Sequence, residues 1–369
     1  MATPIEPVGP VENVATRAWR ASEIDNIDLE LAAVWCDVAR EAPVSRAIMS
    51  NLVVFCRWAA GDDVDLALTP EDVPIEEVAG NHPARIILLH HDPDAAGDAA
   101  PEAPLAARVG VLTFGPPDAR YGVERIVIRS ARGEAALPSI VRRLMLGDVP
   151  TSVWWTEDLS GTRPLAPLVT MGRQLVYDSR RWRDVRLGAL ALAPLLTDAF
   201  GPDLADINWR RLLPVRQALV HAVGSSGPST RQRLTAVHIR HRRDEAALAW
   251  LLAGWLQHTG SIGPGLHQAK LLDVHQSDAG RVLLDPPITV DEDSNPGDDV
   301  LTVVFDDGLQ LRLGNHRVSV DDPLGPAPFA VAVPRETEGE AVAAELCVLS
   351  HDMSLHHALS ALVERFRRA

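Results

Sequence analysis

The sequence predicts an α/β protein: an N-terminal layered α/β domain around a largely parallel sheet, followed by a C-terminal α+β domain with antiparallel hairpins. Three observations carry this. Short apolar runs bounded by polar or proline-containing segments, residues 51–58 (NLVVFCRW) and 85–91 (RIILLHH), read as strands buried on both faces. Helical periods alternate with such runs up to about residue 180. Beyond residue 280, segments of alternating hydrophobicity are separated by glycines, the pattern of hairpins. At 369 residues the chain exceeds the size at which one core keeps growing, so domains 25–180 and 181–369 are expected behind a flexible arm, 1–24.

In chain order, Pro4, Pro7 and Pro10 with no apolar period give the arm its looseness. Ile27, Leu31, Val34 and Val38 recur at three and four residues over 27–39 behind Asp25 or Asn26, an amphipathic helix with a cap, and Pro43 ends it. Runs 51–58 and 85–91 should be sheet neighbours. Runs 108–114 and 123–129 continue the series. In the second, Val123, Arg125, Val127 and Arg129 alternate with Glu124, Ile126 and Ile128, so one face is basic and a place near an edge is expected. A helix over 136–146 breaks at Gly147, Asp148 and Pro150, and strand 151–156, short helix 165–171 and strand 174–177 follow. Longer helices are expected over 185–199, 207–223 and 244–258, with strand-like 233–239 before the last and a loop at 224–229 (GSSGPS). Strands 301–305, 309–313 and 317–320 have Gly308 and Gly314-Asn315 where turns belong. Residues 353–368 close the chain as a helix ending in Arg365, Arg367 and Arg368, favourable at the negative end of the helix dipole.

Composition excludes several functions. With 46% hydrophobic and 23% charged residues the chain should be globular. A net charge of -15, with Lys270 the sole lysine, argues against a phosphate-neutralising surface and hence against nucleic acid. More than half of that negative charge falls after residue 280, in runs such as Asp291-Glu292-Asp293 and the segment 336–345, and reads as solvated surface. Cys36, Cys56 and Cys347 form no CxxC pair, which fits a reducing cytosol without a zinc site or disulfide framework. No stretch approaches the ~20 apolar residues of a membrane span, and no signal peptide is evident. A cytoplasmic protein is expected.

Catalytic and cofactor motifs are missing. Neither GxxxxGK[ST] nor GxGxxG occurs; Gly260, Gly263 and Gly265 (GSIGPG) are misspaced and include Pro264, so a turn is the expected role. No GxSxG elbow is present, and Asp178-Ser179 after strand 174–177 has no assignable His partner, so helix capping is favoured over a ligand site. His90-His91 point to opposite faces of a strand, and His351, His356 and His357 do not share a metal spacing, so no metal and no cofactor is expected. Two segments stand out instead for Trp and Arg, which anchor many protein interfaces. In 147–156 (GDVPTSVWWT), Trp154 and Trp155 fall on opposite strand faces, so at least one should be partly exposed. In 206–217 (DINWRRLLPVRQ), Trp209 shares a face with Leu212 and Leu213 while Arg210, Arg211 and Arg216 project elsewhere, and Pro214 kinks the helix unless it lies near a start. For Trp209 and Trp255 the core is the favoured place.

The same segments carry a family resemblance. In order they read Asn51-Leu52-Val53, His82-Pro83-Ala84-Arg85, Asp148-Val149-Pro150 through Trp154-Trp155, Asp178-Ser179, Asp206-Ile207-Asn208-Trp209-Arg210-Arg211-Leu212, and Leu252-Ala253-Gly254-Trp255-Leu256. This series resembles the OpcA family of glucose-6-phosphate dehydrogenase assembly proteins over roughly residues 25–260. Val149 and Ile207 stand where members carry leucine, and Val215 where many have a second Trp. The resemblance implies a non-catalytic protein that binds glucose-6-phosphate dehydrogenase, favours its active oligomer and serves the oxidative pentose phosphate pathway. Trp154, Trp155, Arg173, Asp178, Trp209, Arg210, Arg211 and Arg216 are the expected partner-binding residues. The alternatives are a sugar-phosphate-binding enzyme or sensor with its site at the sheet edge near Asp178, Ser179 and Arg173, and a purely structural subunit.

Overall fold

The computed structural model describes residues 15–57, 73–91, 105–130, 134–198, 200–225, 236–259, 288–325, 327–348 and 350–368. The proline-rich start, the GSIGPG segment and most of GSSGPS lie outside them. The first half runs β1 (Ala15–Ser22), α1 (Ile27–Glu41), β2 (Ser45–Arg46), β3 (Ser50–Arg57), α2 (Ile75–Asn81), β4 (Ala84–His91), β5 (Leu105–Phe114), β6 (Tyr121–Ser130), α3 (Leu137–Leu144), β7 (Thr151–Trp155), α4 (Ala166–Val169) and β8 (Gln174–Tyr177). There follow α5 (Val185–Leu196), β9 (Asp203–Asp206), α6 (Ile207–Arg210), α7 (Leu213–Ser225), β10 (Val237–His241) and α8 (Ala246–Thr259). The remainder is β11 (Ile288–Glu292), β12 (Asp299–Phe305), β13 (Gln310–Gly314), β14 (Arg317–Asp321), β15 (Phe329–Ala332), α9 (Glu338–Cys347) and α10 (Met353–Arg368).

The first sheet has the order β1-β5-β6-β4-β3-β7-β8-β9, with β2 beside β6. From β6 to β9 every pairing is parallel. Chain order therefore reverses direction across the sheet at β3 and β7, the arrangement of doubly wound α/β folds. Runs 51–58 and 85–91 are indeed adjacent, in register from Ser50↔Ala84 to Arg57↔His91. Alternate side chains serve two cores: Val53, Phe55 and Trp155 meet helices α1, α3, α5, α8 and α10, whereas Leu52, Val54 and Trp154 meet α2 and α9. The second sheet has the order β11-β10-β12-β13-β14-β15, antiparallel except for β10 with β11. Its expected hairpins form, and Gly308 turns between β12 and β13 at φ +91°, a conformation open chiefly to glycine.

Several expectations change. Ala15–Ser22, placed in the arm, pairs antiparallel with β5. The first sheet continues past residue 180, since β9 pairs with β8. Strand β6 is interior rather than near an edge, between β5 and β4. Its charges are tolerated because they are neutralised: Arg125 pairs with Glu76 at 2.9 Å and lies over the Trp19 ring, and Glu124 accepts from Arg85 Nε at 2.6 Å and from Trp35 Nε1 at 2.9 Å. Asn26 precedes α1, but its side chain makes no capping bond. Helix 207–223 is split at Arg211-Leu212, which puts Pro214 in the first turn of α7, where its missing N–H costs nothing. The acidic run 336–345 is not merely solvated, for it forms α9, whose Ala341, Val342 and Leu346 are buried against the first sheet.

Close helix approach explains one glycine of the 252–256 series. A Cβ at Gly254 would lie 2.4 Å from the Ala358 carbonyl oxygen, so its absence lets α8 lie against α10. Among the described residues, no helix is long and apolar enough to cross a membrane.

Candidate functional site

Doubly wound sheets bind ligands outside the carboxyl ends of their strands, where strand order reverses. Here that point lies between β3 and β7. The sequence following β3 reads Trp58-Ala59-Ala60-Gly61-Asp62-Asp63, without the glycine spacing that lets backbone amides approach a pyrophosphate. The carboxyl ends of β8 and β9 carry a polar network instead.

Asp178 follows β8 and caps the turn Ser179–Arg181: Oδ1 accepts from the Arg180 amide (2.9 Å) and Oδ2 from Arg180 Nε (2.9 Å). Ser179 is fully buried; its amide donates to Asp206 Oδ1 (3.1 Å), and its hydroxyl accepts from Asn208 Nδ2 (2.9 Å). Asp206 ends β9 and caps α6 by accepting from the Asn208 amide (2.9 Å). The two motifs Asp178-Ser179 and Asp206–Asn208 thus lock together. Burial, reinforced by the Asp178 carboxylate, pushes the Asp206 carboxyl up to about 7 despite the bonds from Ser179 and Asn208. Its Oδ2 has no partner, as suits a carboxyl holding a proton near neutrality.

Helix α6, fixed by that cap, projects its arginines toward carboxylates of distant segments. Arg210 bonds Glu336 through Nε and a terminal nitrogen (3.0 and 2.7 Å) and Glu345 through the other (2.8 Å). Arg211 grips both oxygens of Glu245 at 2.7 Å and also donates to Asn208 Oδ1 (2.9 Å). Arg181 reaches Glu338 at 3.0 Å. Trp209 Nε1 donates to Asp352 (2.9 Å), and Arg216 lies over its ring, 4.0 Å from the centroid. Arg180, Arg181, Arg210 and Arg211 are therefore matched by the chain's own carboxylates rather than converging on an empty anion cradle. The Ser179 hydroxyl accepts from Asn208, its amide donates to Asp206, and the Asp178 carboxylate caps the turn that follows, so the pair Asp178-Ser179 acts as a cap.

Of the sequence-predicted residues, Asp178, Trp209, Arg210, Arg211 and Arg216 come together. Arg173 does not: it precedes β8 while Asp178 follows it, which separates them by roughly 16 Å at ~3.3 Å per residue. That splits the site imagined for a sugar phosphate. Trp154 and Trp155 do lie on opposite faces, but both are buried, at 1% and 0% exposure, because the sheet is covered on both sides; neither is partly exposed. Trp209 and Trp255 are core residues, as favoured. The sequence marks Asp206 and Asn208 only as members of the series from Asp206 to Leu212, and it does not single out Glu245, Glu336, Glu345 or Asp352; Glu336 and Glu345 are legible only as part of the acidic run 336–345, which says nothing about its partners. His351 bonds Asp203 (2.7 Å), and His357 stacks on His258 with centroids 3.9 Å apart. Among the described residues, no group of three or more His, Cys, Asp or Glu side chains could hold a metal ion.

Two family models match the chain: the N-terminal domain of the glucose-6-phosphate dehydrogenase subunit over residues 75–193, and the C-terminal domain of the same subunit over residues 202–359. The chain belongs to the OpcA family. The network straddles both matched regions, Asp178-Ser179 lying in the first and Asp206–Arg211 in the second. No curated protein matches it. Among solved structures it is similar to the putative oxidoreductase yvaA of Bacillus subtilis, at 8% identity and a TM-score of 0.37, covering 86% of this chain and 96% of that one. It is also similar to a putative oxidoreductase from Klebsiella pneumoniae, at 13% identity and a TM-score of 0.39, covering 87% and 93%.

Proposed function

We propose that this chain is a non-catalytic assembly factor and activator that binds glucose-6-phosphate dehydrogenase, favours its active oligomer, and acts in the cytoplasm in the oxidative pentose phosphate pathway. The observation that carries the reading is the pair of family matches running from residue 75 to residue 359. Two features support a role without chemistry of its own: the sequence after β3 lacks the glycine spacing of a phosphate cradle, and among the described residues Arg181, Arg210 and Arg211 are held by internal carboxylates. An activator must bind the enzyme's active state more tightly than its inactive one, and substrate then strengthens the complex by the same factor. A coupling of ~1–3 kcal/mol shifts apparent substrate affinity about 5 to 150 fold.

The contact surface is proposed around α6 and α7. Arg210, Arg211 and Arg216 keep part of their surface in solvent, and beside them Leu213 and Val220 are 48% and 38% exposed. Apolar side chains flanked by arginines suit a protein interface. Trp154, Trp155, Asp178 and Trp209 would hold this edge in shape from within, and Arg173, at the opposite end of β8, would lie outside it. The test is the rate of the cognate dehydrogenase against glucose 6-phosphate with and without equimolar protein: a lowered half-saturation or raised maximal rate is expected, while unchanged kinetics would leave at most a structural subunit.

A further inference from the structure

At the amino end of the first sheet, away from the Asp206 network, a cavity of about 160 Å³ opens between the starts of β3, β7 and β8 and the carboxyl end of α9. Its walls include Ser50, His82, Ser152, Gln174 and Cys347. Three of these groups form a chain: Ser50 Oγ lies 2.9 Å from His82 Nε2, and His82 Nδ1 lies 3.5 Å from Cys347 Sγ.

The fold fixes the imidazole. The His82 amide donates to the Val78 carbonyl (2.7 Å) at the end of α2, and the next residue, Pro83, accepts from the Met49 amide (2.9 Å). His82 is buried, whereas Cys347 is exposed at the cavity. Burial holds the His82 ring below its ordinary imidazole range, so at pH 7 it is neutral and has one nitrogen free to accept. In the tautomer whose Nε2–H donates to Ser50 Oγ, Nδ1 is the acceptor for the thiol proton. Nucleophile, base and an orienting third group are the parts from which activated thiols are built. Cys36 offers the contrast: it is also exposed, on α1, and among the described residues no imidazole is bonded to it.

We propose that Cys347 is a nucleophilic thiol and the covalent-modification site for a small α,β-unsaturated carbonyl compound that occupies this cavity. The volume falls below the ~300–1,000 Å³ of pockets for larger ligands, which limits the adduct to a few heavy atoms. In the step, His82 Nδ1 takes the thiol proton as Sγ forms a C–S bond to the β-carbon. The C=C π pair moves toward the carbonyl, and the α-carbon finally takes up the proton. Nothing is oxidised and no group leaves. The proposal does not depend on the assembly reading.

The test uses the full chain with acrylamide as probe, following adducts at Cys347 and Cys36 by peptide mass spectrometry. General-base help commonly contributes ~10²–10⁴ fold, so Cys347 should react at least about tenfold faster than Cys36 in the same molecules. In His82→Gln the Cys347 rate should fall to that of Cys36, whose own rate stays unchanged and reports that the fold is intact. Equal rates at the two cysteines of the unmodified chain would overturn the proposal without recourse to any variant. So would a Cys347 rate indifferent to His82→Gln in a folded protein.

Discussion

Replacing Asp206 by Asn should stabilise the protein at alkaline pH, and progressively less as the pH falls toward 3.8. The Asp206 carboxyl is pushed from 3.8 to about 7, chiefly by burial and then by Asp178. Because the folded state holds this proton more tightly than the unfolded state, the group's stabilising contribution is fully present below 3.8 and is lost as pH rises through about 7. Three units at about 1.36 kcal/mol each set the loss at ~4 kcal/mol near pH 8. Asn at this place keeps an oxygen for the amides of Ser179 and Asn208, and its NH₂ replaces an Oδ2 that already lacks a partner. The change therefore removes the ionisation without removing the cap on α6. Urea unfolding at pH 5 and pH 8 is the assay. The Asn variant should gain up to ~4 kcal/mol at pH 8 and roughly half of that or less at pH 5. A variant no more stable at pH 8, or shifted equally at both values, would show that the folded state does not hold this proton at Asp206.

Other substitutions probe the network and the packing. Arg210→Met breaks contacts to Glu336 and Glu345 in which Arg210 is 25% and Glu345 16% exposed, between the regimes of surface and buried pairs, so a loss of roughly 1–3 kcal/mol is expected. In a double-mutant cycle, Glu345→Gln should add little further cost on the Arg210→Met background; full additivity would show that the pair is not coupled. Gly254→Ala gains ~1 kcal/mol of helix propensity but sets a Cβ against the Ala358 backbone, which cannot yield without parting α8 from α10. A net loss of about 1–2 kcal/mol is expected by thermal unfolding, and a stabilised variant would contradict the close approach. Leu213→Glu should leave the unfolding free energy within ~0.5 kcal/mol of the parent yet weaken co-elution with the dehydrogenase. Unaltered co-elution would remove α7 from the proposed contact surface.

What was legible in the sequence was local. Continuous apolar runs gave β3, β4 and β8, and a sustained helical period with basic residues at its end gave α10 residue for residue. The locations of charge and exposure were not legible, because they depend on partners remote in sequence. The alternation of Arg125 with Glu124 looks like an edge strand until Glu76 and Arg85 arrive from other elements to neutralise it. Trp154 appeared half-exposed because the helix that helps cover its side of the sheet, α9, comes from residues 338–347. The acidic run forming that helix looked like solvent-facing charge, and only the three-dimensional arrangement matches Glu336 and Glu345 to Arg210, and Glu338 to Arg181. The candidate site was half visible in the same way: Asp178-Ser179 and Asp206–Arg211 could be picked out, but not that Asp206 joins them.

The proposed role is to change the activity of a dehydrogenase, with no turnover by this chain itself. The most direct test measures the cognate glucose-6-phosphate dehydrogenase against substrate, alone and with equimolar protein, alongside the protein by itself. A lowered half-saturation or raised maximal rate is expected for the mixture, with no turnover by the isolated protein. Unchanged kinetics with failure to co-elute, or turnover of a sugar phosphate by the protein alone, would contradict it.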